Sequence, residues 1–585
     1  MTDGGTARTT FWTQLRVKRW RRRSFLILWL SITSHLSLQA QKGDLLWAKR
    51  AGSNNLDDGN GVAVDPSGNV FATGYFRMTA TFGPAELNQT MLTALGQDVF
   101  IAKYSPDGGF VWARQARSQA AWGSAIGTDA QGNSYVFGYF SGTITFANGE
   151  LNQITLNALA NDLFLAKYDS NGNFSWARKA GSLFSEYAGA MAVDSAGNSY
   201  VTGRYGSAPA IFGAGEPNET TLGGLGGNNG EDVFIAKYDA NGLLQWAKNA
   251  GGSTANRGTG IAVDAAGNSY VVGRFSSTST FGPGEANETV LTGPLGGSDE
   301  IFVAKFGPSG NLAWVRSGLG QAEHDQGYAI AVDPAGNSVA TGTYRGIAPF
   351  GGQLNQTQID DGGMDDIFVV KHDTDGHQQW VKMAVGPDSE YSLGVALDTT
   401  GNAYITGYGF FINFGAGEPG EVEIVGRGQN DLFITKYDTN GLVQWARSDG
   451  GTGDDRGQAI AFGADSVHVV GRFGQTATFG LDEGNQTSLT FAGGPDIFVA
   501  KFRVTSMDAF QRGAFTAAAL LPNGNPRLTL TGTPGKTFTI QRSSSLTNPA
   551  WNSAGMAIVD SQGQAAFEDT DQNLAFPAFY RATTN

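Results

Sequence analysis

Cysteine is absent from all 585 residues. That excludes disulfides, thiolate zinc sites, cysteine nucleophiles and a lipidated N-terminal cysteine. Charge is scarce too, at 16% of residues against the usual share of about a quarter. Acids outnumber bases by 53 to 39, for a net charge of −14, which argues against nucleic acid as the main partner. Helical periodicity is almost wholly missing, and neither a Gly-x-Ser-x-Gly elbow nor a His-Glu-x-x-His pair occurs. The abundant residue is glycine, with 84 copies, about twice its ordinary share of roughly 7%. At 41% apolar, the chain is too hydrophobic for disorder and long enough to bury several cores.

The first forty residues differ from everything after them. Arg16, Lys18, Arg19, Arg21, Arg22 and Arg23 lead into Phe25–Leu30 and a weaker apolar stretch to Leu38. This is the charged and apolar pattern of a secretory leader, with Ala40 as its last residue, and the apolar part is too short for a membrane span. Residues 1–40 are therefore expected to direct export. Their removal leaves 32 basic and 52 acidic residues, or −20.

From about 43 to 502 one motif is written seven times. Asp-x-Phe-x-Ala-Lys ends at Lys103, Lys167, Lys237, Lys305, Lys371, Lys436 and Lys501. A tryptophan two residues before Lys or Arg recurs at Trp47, Trp112, Trp176, Trp246, Trp314, Trp380 and Trp445. Between them runs Ala-Val-Asp-x-x-Gly-Asn-x-Tyr-Val-x-Gly, anchored at Asp65, Asp129, Asp194, Asp264, Asp333 and Asp398, with Gly463 in the seventh copy. Each copy reads as four short strands, a to d, joined by tight glycine turns. In the first they are Gly61–Asp65, Val70–Phe76, Val99–Tyr104 and Phe110–Gln115. The spacing predicts an all-β, seven-bladed β-propeller over 41–505. Lys501 and Phe502 finish the last c strand with no d strand after them, so 43–50 is expected to pair with 496–502 and complete the seventh blade. Residues 506–585 lose the period and read as a small β-sandwich.

These residues resemble the SBBP-type bacterial β-propeller repeat family, whose units read GNxYVTGxF…TFG…DxFVAKYDxNGxxxWA. The resemblance covers about 43–502. It implies a propeller in an exported protein without an assigned activity. Residues 506–585, with Trp551 and Phe579-Tyr580-Arg581, are weakly similar to C-terminal modules of bacterial exported proteins.

Two acidic series fall on the face that carries the longer b–c and d–a connections. Eight residues before the strand-a Asp stand Asp57, Glu186, Asp325, Glu390 and Asp455, with Ala121 and Asn256 in the remaining copies. Four residues after the loop phenylalanine stand Glu86, Glu150, Glu216, Glu285, Glu418 and Glu483, with Gln353 nearby in the fifth. The first series would place carboxylates at the mouth of a central channel, where calcium is a candidate cofactor, or would accept hydrogen bonds from its own loops. The second would line a ligand face. The repeated lysines are expected to form blade ion pairs, and the repeated aromatics to pack between blades. His372 replaces a strand-c aromatic. Gly532–Thr537 is a turn rather than a phosphate loop. Asn88, Asn218, Asn287, Asn355 and Asn485 open Asn-x-Thr triplets that are glycosylation acceptors only in a host that modifies them.

The composition and pattern point to an exported, non-enzymatic binding or scaffold protein for a protein or glycan partner. The alternative is a carbohydrate-active lyase or hydrolase using acids near the channel mouth, for which His324, Asp325, Asp360 and Asp361 form the most asymmetric group. A third reading is an outer-surface structural component attached through 506–585.

Overall fold

The computed structural model describes residues 43–504, except 207, 226–229, 294–297, 319–324, 346–363 and 464. It also describes the segments 514–520, 526–531, 537–543, 552–560, 564–570 and 579–584. The leader at 1–40, His324, Gln353, Asn355, Asp360, Asp361 and Trp551 lie outside these residues. The described residues form forty-one strands and no helix. Residues 40–504 make one compact unit, and 505–585 fall in a second.

Five strands show how the first repeat is built: β1 (Leu45–Gly52), β2 (Asp58–Val64), β3 (Val70–Phe82), β4 (Thr90–Tyr104) and β5 (Phe110–Thr128). β2 pairs with β3, β3 with β4 and β4 with β5, all antiparallel. The Asp-x-x-Gly-Asn turn between β2 and β3 is closed by Asp65. Its Oδ1 accepts the N–H groups of Ser67 and Asn69, and its Oδ2 accepts the Asn69 amide. Gly68 supplies the left-handed backbone at φ 81°. The same a–b–c–d order returns in every later copy, with strand a at Tyr187–Val193, Arg257–Val263, Gln326–Val332, Tyr391–Leu397 and Arg456–Gly463. In the second copy, strand d of one repeat runs unbroken into strand a of the next as β5.

The a strands touch in chain order, and the seventh returns to β2. β1 pairs antiparallel with Asp496–Arg503, from Leu45 opposite Phe502 to Ala51 opposite Ile497. The N-terminal strand is thus the fourth strand of the seventh repeat. The buried clusters draw on neighbouring repeats: Phe71, Val99 and Ile101 of the first pack with Val136, Phe164 and Phe174 of the second. The repeated tryptophans sit at the same junctions. A Cβ added to turn glycine Gly108 would fall 2.7 Å from Trp47, and one on Gly172 would fall 2.9 Å from Trp112.

Among the described residues, six b–c connections, expected as long loops, are β-hairpins. Strand b bulges before the hairpin at a residue in the left-handed region, such as Met78 (φ 55°), Gly142 (φ 72°), Ser277 (φ 56°) or Gln475 (φ 55°). The hairpin then pairs with strand d of the preceding repeat. Phe82 lies opposite Ala51, Ile144 opposite Ser118, Phe281 opposite Ala250, Phe414 opposite Ala384 and Thr478 opposite Gly450. Strand d would otherwise expose a row of unpaired backbone groups, and the hairpin covers it.

The second unit holds two three-stranded sheets, one of Ala514–Leu520, Pro526–Thr531 and Gln564–Glu568, the other of Asn552–Ile558, Thr537–Ser543 and Phe579–Thr584. Leu528, Leu530, Ile540, Ala557, Val559, Ala565 and Phe567 form one buried cluster from both.

Candidate functional site

The first acidic series is buried at the junctions between repeats. Asp57, Glu186, Glu390 and Asp455 are fully buried, and Asp325 is nearly so. Asp57 accepts the N–H groups of Ser53 and Arg77, and Asp455 those of Gly451 and Gly474. Glu186 accepts both N–H and O–H from Ser182, and Asp325 accepts the Arg345 N–H. In turn the backbone N–H groups of Asp57, Glu186, Glu390 and Asp455 donate to Pro495, Asn161, Asp365 and Asn430, the residues just before strand c of the preceding repeat. Asn256 makes the same backbone bond to Glu231. These side chains stitch the d–a connections to the neighbouring sheet. Among the described residues no three His, Cys, Asp or Glu stand together as a metal-holding set. Burial pushes Asp57 up to about 6 and Glu186 and Asp455 up to about 7. Glu390 is pushed up to about 9 by burial and then by the neighbouring Asp366 carboxylate.

Four members of the second series bolt their hairpin tip to strand d of the same repeat. Glu86 accepts the Phe110 N–H, Glu216 that of Leu244, Glu285 that of Leu312 and Glu483 that of Leu45. The other oxygen meets the basic residue of strand d in the preceding repeat. Lys49 donates to Glu86 at 3.0 Å, Lys248 to Glu285 and Lys382 to Glu418 at 2.7 Å, and Arg447 pairs with Glu483 at 2.8 Å. Glu150 occupies the same tip and is exposed. The triplet asparagines share this role. Asn88, Asn218, Asn287 and Asn485 donate to the carbonyls of Phe110, Leu244, Leu312 and Leu45.

The repeated lysines correct the ion-pair expectation. Among the described residues, only Lys167 approaches its strand-a acid, Asp129, at 3.8 Å. The rule is a clasp between repeats: Lys103 donates to Ser170, Lys305 to Thr374 and Lys501 to Pro106, each a carbonyl in the c–d turn of the following repeat. The ammonium also lies over a strand-b ring, Phe71 at 5.0 Å from Lys103 and Tyr135 at 4.8 Å from Lys167. The strand-a Asp is unavailable because it already closes its own turn.

Repeat matching passes over the positions that vary, and those form the most distinctive cluster, its members buried or half-buried. One residue at the start of strand a lies opposite one near the end of strand b in every repeat. The pairs are Asp58–Tyr75, Trp122–Tyr139, Tyr187–Arg204, Arg257–Arg274, Gln326–Thr343, Tyr391–Tyr408 and Arg456–Arg472. Eleven of these fourteen are Tyr, Trp or Arg. Strand-b glycines permit the pairing. A Cβ on Gly74 would fall 1.9 Å from the Asp58 carbonyl, and one on Gly203 would fall 2.2 Å from that of Tyr187.

The pairs join into a belt. Trp122 stacks on Tyr139 at 4.8 Å, and Tyr139 meets the edge of Tyr187 at 5.2 Å. Arg204 lies 4.2 Å over Tyr187 and reaches Glu231, as does Arg257; Arg274 pairs with Asp299. Tyr328 interacts electrostatically with Arg274 on one side and Tyr408 on the other. Tyr391 stacks on Tyr408 at 5.1 Å and donates to Asp365. Arg456 lies 4.4 Å over Tyr408 and pairs with Asp454, which Arg472 also meets, and Arg472 continues to Asp58. Burial pushes Asp58 up to about 6 despite Arg472, and one of its carboxyl oxygens is buried without a partner. The sequence signal for this belt was the residue at the start of strand a: in a chain so repetitive, that slot holds five residue types across seven copies.

The β-propeller repeat family matches residues 46–75. Those residues span β2 and reach into β1 and β3. An uncharacterized WD repeat-containing protein of Acanthamoeba polyphaga mimivirus is 24% identical over 505 residues, covering 74% of this chain and 36% of the relative. Regulatory protein FlaEY of Caulobacter vibrioides is 26% identical over 421 residues, covering 67% of this chain and 41% of the relative. The chain therefore spans well under half the length of these curated relatives. Among solved structures, a puromycin hydrolase aligns with a TM-score of 0.35 at 9% identity, over 84% of this chain and 62% of the other.

Proposed function

We propose that this chain is an exported binding scaffold. In this reading 41–505 is a seven-bladed β-propeller, 506–585 is a small β-sandwich, and the belt receives a protein or glycan partner. The belt's composition carries the reading. Tyr, Trp and Arg are the side chains that dominate binding energy at interfaces, and here they fill the slots that the repeat leaves free to vary. Their stacking and cation–π contacts hold them in place before a partner arrives, which lowers the entropy cost of association. The belt lies at the end of the a and b strands from which the d–a and b–c connections depart, the face the sequence assigns to binding.

A glycan array and a partner screen with the full chain test the reading. Binding should be lost in Trp122→Ala and Tyr408→Ala and kept in Lys382→Gln, whose ammonium bonds Glu418 of a hairpin and no belt residue. Binding that survives both belt variants would remove the belt from the function. Calcium enters this reading through Asp57, Glu186, Asp325, Glu390 and Asp455 only if millimolar calcium raises the melting temperature. Their backbone partners predict no shift.

A further inference from the structure

The belt is not uniform in charge. On the arc of Asp58, Asp454, Arg456 and Arg472, two guanidiniums meet two carboxylates. On the arc of Arg204, Arg257 and Arg274, three guanidiniums share only Glu231 and Asp299 among the described residues. Arg257 and Arg274 lie directly opposite each other in the sheet. The crowding has a cost: burial, with Arg257 adding to it, holds both Arg204 and Arg274 below the usual guanidinium range. The Nε atoms of Arg204 and Arg274 are buried and have no acceptor. Next to this under-neutralised cluster stand three rings in contact, Tyr187, Tyr139 and Trp122.

We propose that this arc binds an acidic saccharide, with the carboxylate of a uronate-type residue against Arg204, Arg257 and Arg274 and neighbouring sugar rings on Tyr187, Tyr139 and Trp122. The inference rests on the reading of the belt as a binding face. A guanidinium fork matches a carboxylate in two parallel hydrogen bonds, and the aromatic side chains beside it suit the apolar C–H groups of a pyranose. The rest of the chain narrows the choice. With a net charge of −14, it repels dense polyanions, and nucleic acid carries a charge every ~1.7 Å of duplex. A uronate chain places its carboxylates a sugar apart, so one can engage the arginines within the short screening length of about 8 Å.

Titration calorimetry of the full chain decides it, using oligomers of galacturonate, glucuronate and mannuronate, the methyl esters of each, and a neutral glucan. At least one acid should bind, more weakly as salt rises, while its ester and the glucan bind at least about tenfold more weakly. Arg257→Gln, Arg257→Lys and Tyr139→Ala should each lose about tenfold, and Lys382→Gln should lose nothing, with each variant shown to be folded by a single cooperative melting transition. An ester as tight as its acid, failure of all three acids, or selective binding of single-stranded RNA would overturn the inference. If a neutral glycan or a protein binds in a Trp122- and Tyr408-dependent way, the scaffold reading stands and only the ligand class falls. If no belt variant alters any binding, both fall.

Discussion

Single carboxyl groups set how this protein responds to pH. Glu390 is held at about 9 by burial and by Asp366, and Asp455, Glu186 and Asp496 at about 7 by burial. A carboxyl whose folded value is raised binds its proton more tightly in the native state. Its stabilisation is complete below the unfolded value near 4.5 and is lost as pH rises through the folded one. The melting temperature should therefore fall steadily from pH 5 to pH 8. Glu390→Gln cannot lose a proton, so its melting curve should fall less over that window. A variant that tracks the parent across pH 5–8 would show that Glu390 is already ionised in the native state. Glycine at the strand-b position is equally specific. Gly203→Ala sets a methyl against the Tyr187 carbonyl and should cost about 1–3 kcal/mol, read by denaturant unfolding.

At the level of elements, the hairpin between strands b and c is the joint whose strength can be measured. Glu285 joins Lys248 of one repeat to the Leu312 N–H of the next, with the hairpin between them. Glu285→Ala should destabilise the protein by about 1–2 kcal/mol, and Glu285→Gln by less because it still accepts the N–H. The strands themselves were legible from the Asp-x-x-Gly-Asn turns and the alternation of Val99–Tyr104. The hairpin was not. Thr81-Phe-Gly-Pro-Ala-Glu86 carries loop residues, and the pairing that orders it belongs to Ala51 and Gly52 of a different repeat. The lysine partners were hidden for the same reason. An ion pair within one repeat is visible as a spacing, whereas the Lys103 bond to Ser170 spans two repeats. The belt escaped because its residues differ from copy to copy: Asp58, Trp122 and Arg257 share a place in the fold and no chemistry.

Across the whole molecule, closure depends on one strand. β1 pairs with Asp496–Arg503, Trp47 and Lys501 both donate to Pro106, and Glu483 accepts the Leu45 N–H. Deleting 41–50 removes nearly all of the strand pairing and both the Trp47 and Leu45 bonds together, and leaves only the Lys501 bond to Pro106. The variant should melt at lower temperature and over a broader range, and a transition as sharp and as high as the parent's would show that the remaining repeats close without it. The expectation that 43–50 meets 496–502 comes from a simple mismatch, seven c strands but only six d strands after them. Counting motifs along the chain is enough to expose it.

The same strand imposes a timetable on synthesis. Leu45–Gly52 is among the first structured segments to be made, and its partner Asp496–Arg503 comes roughly 450 residues later. At ~5–20 residues per second, the gap is on the order of half a minute. Throughout that interval the first six repeats can acquire their four strands, while the opening strand has only the short pairing of Ala51 and Gly52 with β3. The beginning of the chain is the last piece to find its place.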